Sequence, residues 1–203
     1  MAAVPVAQPT RALDGVGEER FVLRGVSWRD YLVLREMLDS PAVHMTYCEG
    51  ELELMSPLRP HEDAKTSIAR LIELYSLERG VPLHGAGSTT FRCAAKERGL
   101  EPDECYFLGD ASRESPDIAI EVIITSGSTL DKLSIYEALG VKELWFWEND
   151  TFHLHALETD GYVVIARSGL LPGLDFEVLS RFVREKNQYE AARGFRDWLR
   201  ANP

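Results

Sequence analysis

The sequence has few cysteines, no long apolar run and no secretory leader pattern. Its three cysteines, Cys48, Cys93 and Cys105, are odd in number and lack metal-ligand spacing. This excludes a cysteine-based metal site and favours reduced thiols in the core of a cytoplasmic protein. No apolar run approaches the ~20 residues of a membrane span. Because no basic start precedes a long apolar stretch, we expect no secretory signal and a cytoplasmic location.

Positive charge is also scarce. The 203 residues include 33 Asp and Glu against 22 Lys and Arg, a formal net charge of −11, which argues against indiscriminate binding of nucleic acid. From residue 181 onward the balance reverses to +3, leaving −14 on residues 1–180. The sequence shows no internal repeat and no glycine loop that would cradle a phosphate. Its length suits one domain with appendages and a sizeable core.

A buried strand is predicted over residues 118–124, which are rich in β-branched side chains and follow Pro116. Turn-forming residues 125–127 end it. Glu121 is the ionisable side chain at its centre. Because desolvating a lone carboxylate is so costly, Glu121 must be protonated, paired or bound to a cation. The sequence therefore predicts a positive group facing Glu121.

A second carboxylate is expected from an opposing strand. Asp103 begins a short apolar strand ending at Leu108, and the turn-rich residues 109–115 predict an antiparallel hairpin. Opposed residues in such a pair have Cβ atoms about 4.5–5.5 Å apart, close enough for two carboxylates to share a divalent cation. Asp117 is the rival, but four residues along one strand span about 13 Å. Asp117 is therefore interpreted as the start of the strand that contains Glu121.

A helix is predicted next, with Ser128 as its cap and Asp131 in its first turn. At about 100° per residue, Lys132 lies within about 60° of apolar residues of this helix such as Tyr136. Lys132 is therefore predicted on the inward face. Two carboxylates and an inward lysine on a strand-hairpin frame indicate a metal-dependent phosphodiesterase centre. A strand over residues 143–148 follows, which predicts a parallel strand–helix–strand crossover.

These residues resemble the PD-(D/E)XK superfamily, the restriction endonuclease-like fold. The resemblance is closer to the Uma-type putative restriction endonuclease family of cyanobacteria and other bacteria, and it covers roughly residues 28–180. Its motifs are moderately specific singly and strong in this order. They are Pro102-Asp103, residues 119–122, 125–127 and 131–133, Tyr136, residues 139–147, and residues 49–57 with His61 opening the next helix.

The resemblance implies a fold of the α/β (α+β) class. A restriction endonuclease-like core with a central mixed β-sheet flanked by helices is expected over residues 27–180. A helix and hairpin would form its N-terminal part. Residues 1–26 are expected to be a largely disordered or extended tail, and residues 181–203 a C-terminal helical extension.

The resemblance also implies an activity, that of a Mg²⁺- or Mn²⁺-dependent endonuclease acting on DNA. Asp103 and Glu121 would hold the metal, together with a backbone carbonyl near Val122. Lys132 would orient the attacking water or stabilise the transition state. Oxygen ligands favour Mg²⁺ or Mn²⁺ over Zn²⁺. A homodimer is expected by analogy, because cleaving both strands commonly needs two such centres.

One position departs from the superfamily pattern. The usual lysine follows the glutamate by two residues, where this chain has Ile123. In the Uma-type pattern the lysine comes from the following helix, at the position of Lys132. The alternative function is therefore a catalytically inactive binding or assembly module of the same fold. In that case Glu121 and Lys132 are only a buried ion pair. A hydrolase of another phosphodiester is a third possibility.

Two residues are auxiliary candidates. His61 opens a helix predicted to run to about Glu78, and is either a cap-region residue or a contact beside the site. Glu49 lies in the turn of a predicted hairpin. We interpret Glu49, Glu51 and Glu53 as its solvent face, with Glu49 alternatively assisting the site.

Two other groups are interpreted as surface features. His153 and His155 share a strand face, but no third metal ligand accompanies them. The C-terminal segment carries basic residues that could follow phosphates. They are otherwise the solvated face of a helix that packs on the core or on a second subunit. These residues are Arg181, Arg184, Lys186, Arg193, Arg196 and Arg200.

Overall fold

The computed structural model describes residues 8–10, 18–38, 43–124, 128 and 130–203. The helices in these ranges are α1 (Trp28–Met37), α2 (Arg59–Arg79), α3 (Lys132–Leu139), α4 (Phe176–Val183) and α5 (Gln188–Ala201). The strands are β1 (Gln8–Thr10), β2 (Glu19–Arg24), β3 (His44–Cys48), β4 (Glu51–Ser56), β5 (Leu83–Gly85), β6 (Phe91–Cys93), β7 (Arg98–Leu100), β8 (Glu104–Leu108), β9 (Ile118–Ile123), β10 (Glu143–Glu148), β11 (Thr151–Glu158) and β12 (Gly161–Ile165).

Six strands form the central sheet, in the order β12-β11-β10-β9-β8-β5. The pair β9–β10 is parallel and the other pairs are antiparallel. Because α3 connects β9 to β10, the predicted parallel strand–helix–strand unit is confirmed. The predicted hairpin of β8 and β9 is also confirmed. The central sheet is therefore mixed, as expected.

Helices cover both faces of the central sheet. Ile120 and Val122 of β9 lie in the core cluster that includes side chains of α2, α4 and α5, such as Leu71. Ala119, which precedes Ile120 in the strand alternation, packs with Ile135 and other side chains of α3. Successive side chains of a strand point to opposite faces, so Glu121 shares the face of Ala119. The fold thereby aims Glu121 towards α3.

The remaining strands form a second, N-terminal sheet in the order β1-β2-β4-β3-β7-β6. Helix α1 packs on it through Tyr31, whose ring lies 4.8 Å from that of Tyr47. A Cβ atom at Gly99 would lie 2.5 Å from the hydroxyl oxygen of Tyr31, so the close approach of α1 to β7 requires glycine there. The helix and the β3–β4 hairpin match the prediction, whereas the sheet around them was not anticipated.

Both predicted appendages contribute to the folded body. Within the first 26 residues, β2 pairs with β4, while residues 1–7 and 11–17 lie outside the described part. The expected boundary at residue 181 falls inside α4. Phe195 and Leu199 of α5 are buried against the core that contains α2. The C-terminal helices therefore complete the domain core.

No helix within the described ranges combines the length and apolar character needed to span a bilayer.

Candidate active site

The β8–β9 hairpin brings the two predicted carboxylates together. Glu104 pairs with Ile120 and Cys105 with Ala119, so one further step of this antiparallel register places Asp103 opposite Glu121. Both residues are only 2 % exposed. Directly opposed side chains lie on the same face of a sheet. The predicted hairpin therefore places two buried carboxylates side by side near one end of β9.

Glu121 is contacted by two side chains of α3. The ammonium of Lys132 donates to one carboxylate oxygen, and the hydroxyl of Tyr136 donates to the other. Lys132 is the first helical residue and Tyr136 lies one turn later, so both reach the same strand. The predicted inward orientation of Lys132 is confirmed. Tyr136 was expected on the inward face and as part of the family motif, but its contact with Glu121 was not predicted.

The start of α3 differs by a few residues from the prediction. Asp131 is the N-cap, since its carboxylate accepts a hydrogen bond from the amide of Ser134 at 3.3 Å. Ser128, the predicted cap, instead accepts from the amide of Leu130 at 3.1 Å. Residues 125–127, predicted as a turn, lie outside the described residues. The later helix start makes Lys132 its first residue, adjacent to the cap.

Asp103 is held by a backbone amide and faces two histidines. The amide of Val122 donates to Oδ2 at 2.7 Å, which ties the carboxylate to β9. Oδ1 lies 3.0 Å from Nε2 of His61 and 3.4 Å from Nδ1 of His44. Of the two interpretations of His61, the structure supports a contact beside the site. His44, on β3, was not anticipated.

A row of buried charges continues beyond His61 into the N-terminal sheet. Nδ1 of His61 lies 2.6 Å from Oε1 of Glu18. Arg20 donates to Glu18 at 2.9 Å and to Glu53 at 3.1 Å. The prediction that Glu53 faces solvent is wrong, because this residue is 1 % exposed. No motif in the sequence marks Glu18 or Arg20 as neighbours of the site.

The electrostatics of the site differ between its two acids. Burial alone would raise the pKa of Asp103, but its contacts with His44 and His61 and the charge of Lys132 hold that pKa well below its ordinary value. Burial raises the pKa of Glu121, and the neighbouring charge of Asp103 raises it further, despite the opposing charge of Lys132. Asp103 is thus a stable anion, and a positive charge would stabilise ionised Glu121.

The two bases of the site are held in their charged forms. Burial alone would lower the pKa of Lys132, but the charges of Glu121 and Asp103 raise it above its ordinary value. Burial would likewise lower the pKa of His61, and contacts with Asp103 and Glu18 instead raise it to about 9. At neutral pH the ionised carboxylate of Asp103 therefore faces two protonated bases, Lys132 and His61.

A cavity of about 200 Å³ opens beside Glu121 and Lys132. Its walls come from both sheets, with Arg20 and Met55 on the N-terminal side. Ile123, at the usual lysine position of the superfamily, lines the same cavity. Two larger grooves of about 710 and 800 Å³ lie beside α4, and neither is lined by Asp103, Glu121 or Lys132. Of the cavities described, the small one is lined by Glu121 and Lys132, and it is therefore the one nearest to the predicted site.

The donor set fits a hard divalent cation that keeps water ligands. In the described part of the chain, no group of three or more His, Cys, Asp and Glu side chains is arranged to hold a metal ion. Asp103 and Glu121 provide two carboxylates, and Mg²⁺ is commonly held by one or two carboxylates and several waters. His153 is exposed and His155 half-buried on β11. The residues that could hold Mg²⁺ or Mn²⁺ are therefore the two carboxylates, Asp103 and Glu121.

Two acidic candidates lie away from this cavity. Glu49 occupies the β3–β4 turn, its carboxylate is 3.0 Å from a guanidinium nitrogen of Arg98, and it does not line the cavity. Asp117 accepts from the amide of Leu108 at 2.7 Å and pairs with Arg113 and Lys142. The interpretation of Asp117 as the residue that starts the strand is confirmed.

Several C-terminal basic residues form ion pairs. Arg200 donates to Glu78 of α2 at 2.7 Å, and Arg193 pairs with Glu190 one turn away. These contacts match the interpretation of the segment as a helix that packs on the core with a solvated outer face.

Comparisons with known proteins identify the family and the fold of the chain. A family model described as "Putative restriction endonuclease", Uma2, matches residues 28–185. A crystal structure of a putative nuclease belonging to DUF820 from Anabaena variabilis superposes with a TM-score of 0.51 at 14% identity. The match covers 74% of this chain and 98% of that one, and at this identity it shows a shared fold. No curated protein matches the chain significantly. The chain belongs to the Uma2 family of putative restriction endonucleases.

Proposed function

We propose that the chain is a metal-dependent endonuclease that hydrolyses phosphodiester bonds of DNA. One observation carries the proposal. The side chains of Asp103, Glu121 and Lys132 converge at one end of β9, where Glu121 and Lys132 line a cavity. A buried ion pair that served only stability would not need a second carboxylate next to it, since like charges disfavour each other.

Asp103 and Glu121 would hold the cation. Mg²⁺ or Mn²⁺ bound there would supply a water of lowered pKa and would neutralise charge that develops on the scissile phosphate. The raised pKa of Glu121 supports this assignment, because a nearby cation would relieve the repulsion from Asp103.

The protein side chains would position the reacting groups. Lys132 is protonated and lines the cavity, so it can orient the attacking water or donate to an oxygen of the phosphate. Tyr136 fixes the rotamer of Glu121 through its hydroxyl. The imidazole of His61, buried between Glu18 and Asp103, would stabilise the orientation of the Asp103 carboxylate as an ion-pair partner at 3.0 Å.

A plasmid-nicking assay with Mg²⁺ or Mn²⁺ tests the proposal. We expect the supercoiled substrate to be nicked by the wild type and not by Asp103→Ala, Glu121→Ala or Lys132→Ala. Glu49→Ala, which removes an exposed carboxylate of the same chain, is the matched control and should nick normally. Cleavage that persists in all three site variants would refute the assignment, because the activity would then come from elsewhere or from a contaminant.

The second candidate function is a catalytically inactive binding or assembly module. It is favoured by Ile123 at the usual lysine position and by the fact that both oxygens of Glu121 already have partners in α3. Its signature would be binding of a labelled duplex by the wild type with no cleavage at any concentration of Mg²⁺ or Mn²⁺. RNA and other phosphodiesters in the same assay would identify a hydrolase with a different substrate.

We also propose that two copies act together on duplex DNA, because one centre cuts one strand at a time. Sedimentation of the protein with and without duplex should show a dimer in at least the bound state. A monomer in both states would contradict this arrangement.

A further inference from the structure

An arginine outside the family match lines the same cavity as Glu121 and Lys132. Arg20 is on β2, whereas the family match begins at residue 28. The Arg20 residue is 8 % exposed, and it forms part of the cavity wall together with Met55 of the same sheet. An arginine is rarely buried to this extent unless its charge is paired, so its partners must be accounted for.

The guanidinium of Arg20 is held by two carboxylates, but not all of its N–H groups have a hydrogen-bond acceptor. One terminal nitrogen donates to Glu53 at 3.1 Å and the other donates to Glu18 at 2.9 Å. Its Nε is buried and has no hydrogen-bond partner among the described residues. A guanidinium has five N–H donors in a rigid fork, so several donors remain for another acceptor. A buried donor without a partner destabilises the protein, so an acceptor supplied by a ligand would be favourable.

Two cations, Arg20 and Lys132, line the cavity together with two carboxylates, Glu121 and Asp131. Arg20 reaches it from β2 and Lys132 from α3. Two cations that face one cavity repel each other, and an anion between them would relieve that repulsion. The cavity also includes Glu121, which the proposed function places next to the scissile phosphate.

We propose that Arg20 contacts a non-bridging oxygen of the substrate phosphate in this cavity, with Glu18 and Glu53 as positioning residues that hold its guanidinium. The proposal rests on the proposed function for the identity of the anion. It adds a residue from the N-terminal strand to the catalytic site and gives that strand a role besides completing a sheet. Arginine suits the role because its planar fork matches phosphate oxygens, whereas lysine offers only a point charge.

A charge-balanced variant tests the role without stranding a buried charge. Arg20→Met alone would remove the arginine charge that faces both Glu18 and Glu53. The double variant Arg20→Met/Glu53→Gln is therefore compared with Glu53→Gln as its reference. Arg24→Met is the matched control. Arg24 is on the same strand, its side chain is 78 % exposed, and it pairs with Glu51 rather than with a cavity residue.

The nicking rate at saturating plasmid and Mg²⁺ is the first readout. We expect the double variant to lose about a hundredfold or more relative to Glu53→Gln, the usual effect of removing one donor to transition-state charge. Arg24→Met should match the wild type. If the double variant is folded and nicks as fast as its reference, Arg20 does not contact the phosphate. If the double variant does not fold, the single variant Arg20→Lys tests the role of Arg20 instead. It keeps the charge and loses the fork, so a loss of about tenfold supports the role and an unchanged rate overturns it.

Inorganic phosphate separates this inference from the proposed function. Phosphate should raise the Tm of Glu53→Gln and of Arg24→Met, and should not raise that of the double variant. This result would support the anion site even if no variant nicks DNA, in which case only the proposed function would fail. An equal Tm shift in Glu53→Gln and in the double variant would overturn the role of Arg20.

Discussion

Two neighbouring strands of the central sheet each contain a buried glutamate, and the two side chains have different surroundings. Glu121 near the end of β9 and Glu143 at the start of β10 are 2 % and 3 % exposed. Glu143 accepts hydrogen bonds from Trp145, Ser168 and the backbone amides of Gly169 and Leu170, at 2.7–3.0 Å. These donors are neutral, and they anchor the loop that leads to α4.

Glu121 instead faces a second carboxylate, a lysine and a cavity. Burial therefore does not distinguish the two glutamates, whereas their partners do. A carboxylate surrounded by neutral donors stabilises the fold. A carboxylate placed next to another carboxylate, with cations facing a cavity, is costly to the fold and suits a function. The two ends of the β8–β9 hairpin differ in another way: Asp117 pairs with the partly exposed Arg113 and Lys142, whereas Asp103 faces two buried histidines and lies opposite Glu121.

The largest difference between the two glutamates is expected in the rate of DNA nicking. Glu121→Gln should lower the nicking rate about a thousandfold or more, because a cation ligand and its transition-state stabilisation of several kcal/mol are lost. Glu143→Gln, the same substitution on the adjacent strand, should leave the rate per folded molecule within about threefold. Initial rates on supercoiled plasmid measure both. Equal losses would mean that the two glutamates do not differ in role.

Substitution of Glu143 should lower the free energy of unfolding more than substitution at the site of Glu121. Glu143→Ala leaves two backbone amides, an indole N–H and a hydroxyl without their acceptor, so we expect the free energy of unfolding to fall by about 3 kcal/mol or more. Urea denaturation at pH 7 measures this change. A loss below about 1 kcal/mol would show that water replaces the carboxylate at no cost.

At the site, the double variant Glu121→Gln/Lys132→Met is compared with Glu143→Ala in the same unfolding measurement. It removes both charges of a buried pair, which is often neutral or stabilising by about 1–4 kcal/mol. We therefore expect its free energy of unfolding to equal or exceed that of the wild type, while nicking is abolished. If the double variant were strongly destabilised, the Glu121–Lys132 pair would be shown to stabilise the fold, as Glu143 does.

A smaller effect is expected at Asp117, and it depends on pH. Burial alone would raise the pKa of this carboxyl, but Arg113, the amide of Leu108 and Lys142 hold it well below its ordinary value. A lowered pKa in the folded state stabilises the protein above the unfolded pKa, and this stability is lost as pH falls below about 4.

Asp117→Asn should accordingly cost about 1–2 kcal/mol at pH 7, since the side chains of Arg113 and Lys142 are partly exposed and screened. Urea denaturation across the acid range should show the difference in stability between this variant and the wild type shrinking with falling pH. A difference that stays constant would exclude the carboxylate charge as its cause.

The smallest effect is expected at the exposed pair of Glu49 and Arg98. Glu49→Ala should change the free energy of unfolding by less than about 1 kcal/mol, and nicking should be unchanged. Thermal unfolding followed by circular dichroism would detect a larger loss, which would indicate that the turn depends on this pair.

The parts of the site that the sequence could reveal are those set by local periodicity. Strand alternation, a short hairpin and the helical wheel were sufficient to bring Asp103, Glu121 and Lys132 to one place, because each relation spans few residues. His61 was recognised as a candidate through the family resemblance. Its position beside Asp103 depends on how α2 packs against the end of the central sheet.

The parts that the sequence could not reveal depend on the second sheet. Glu18 meets His61 across 43 residues of sequence, and such pairing leaves no local pattern. Glu53 was placed in solvent on the assumption that a hairpin has one open face. In the structure β4 lies between β2 and β3, and Arg20 of β2 covers Glu53. Long-range strand pairing, rather than propensity, decided these positions.

The most direct test of the cation-binding claim is a calorimetric titration of Mn²⁺ into the wild type, Glu121→Gln and Glu143→Gln at neutral pH. The account predicts saturable binding to the wild type and to Glu143→Gln, and its loss in Glu121→Gln. Binding that is unchanged in Glu121→Gln, or absent from the wild type, would contradict the assignment of Asp103 and Glu121 as a cation site.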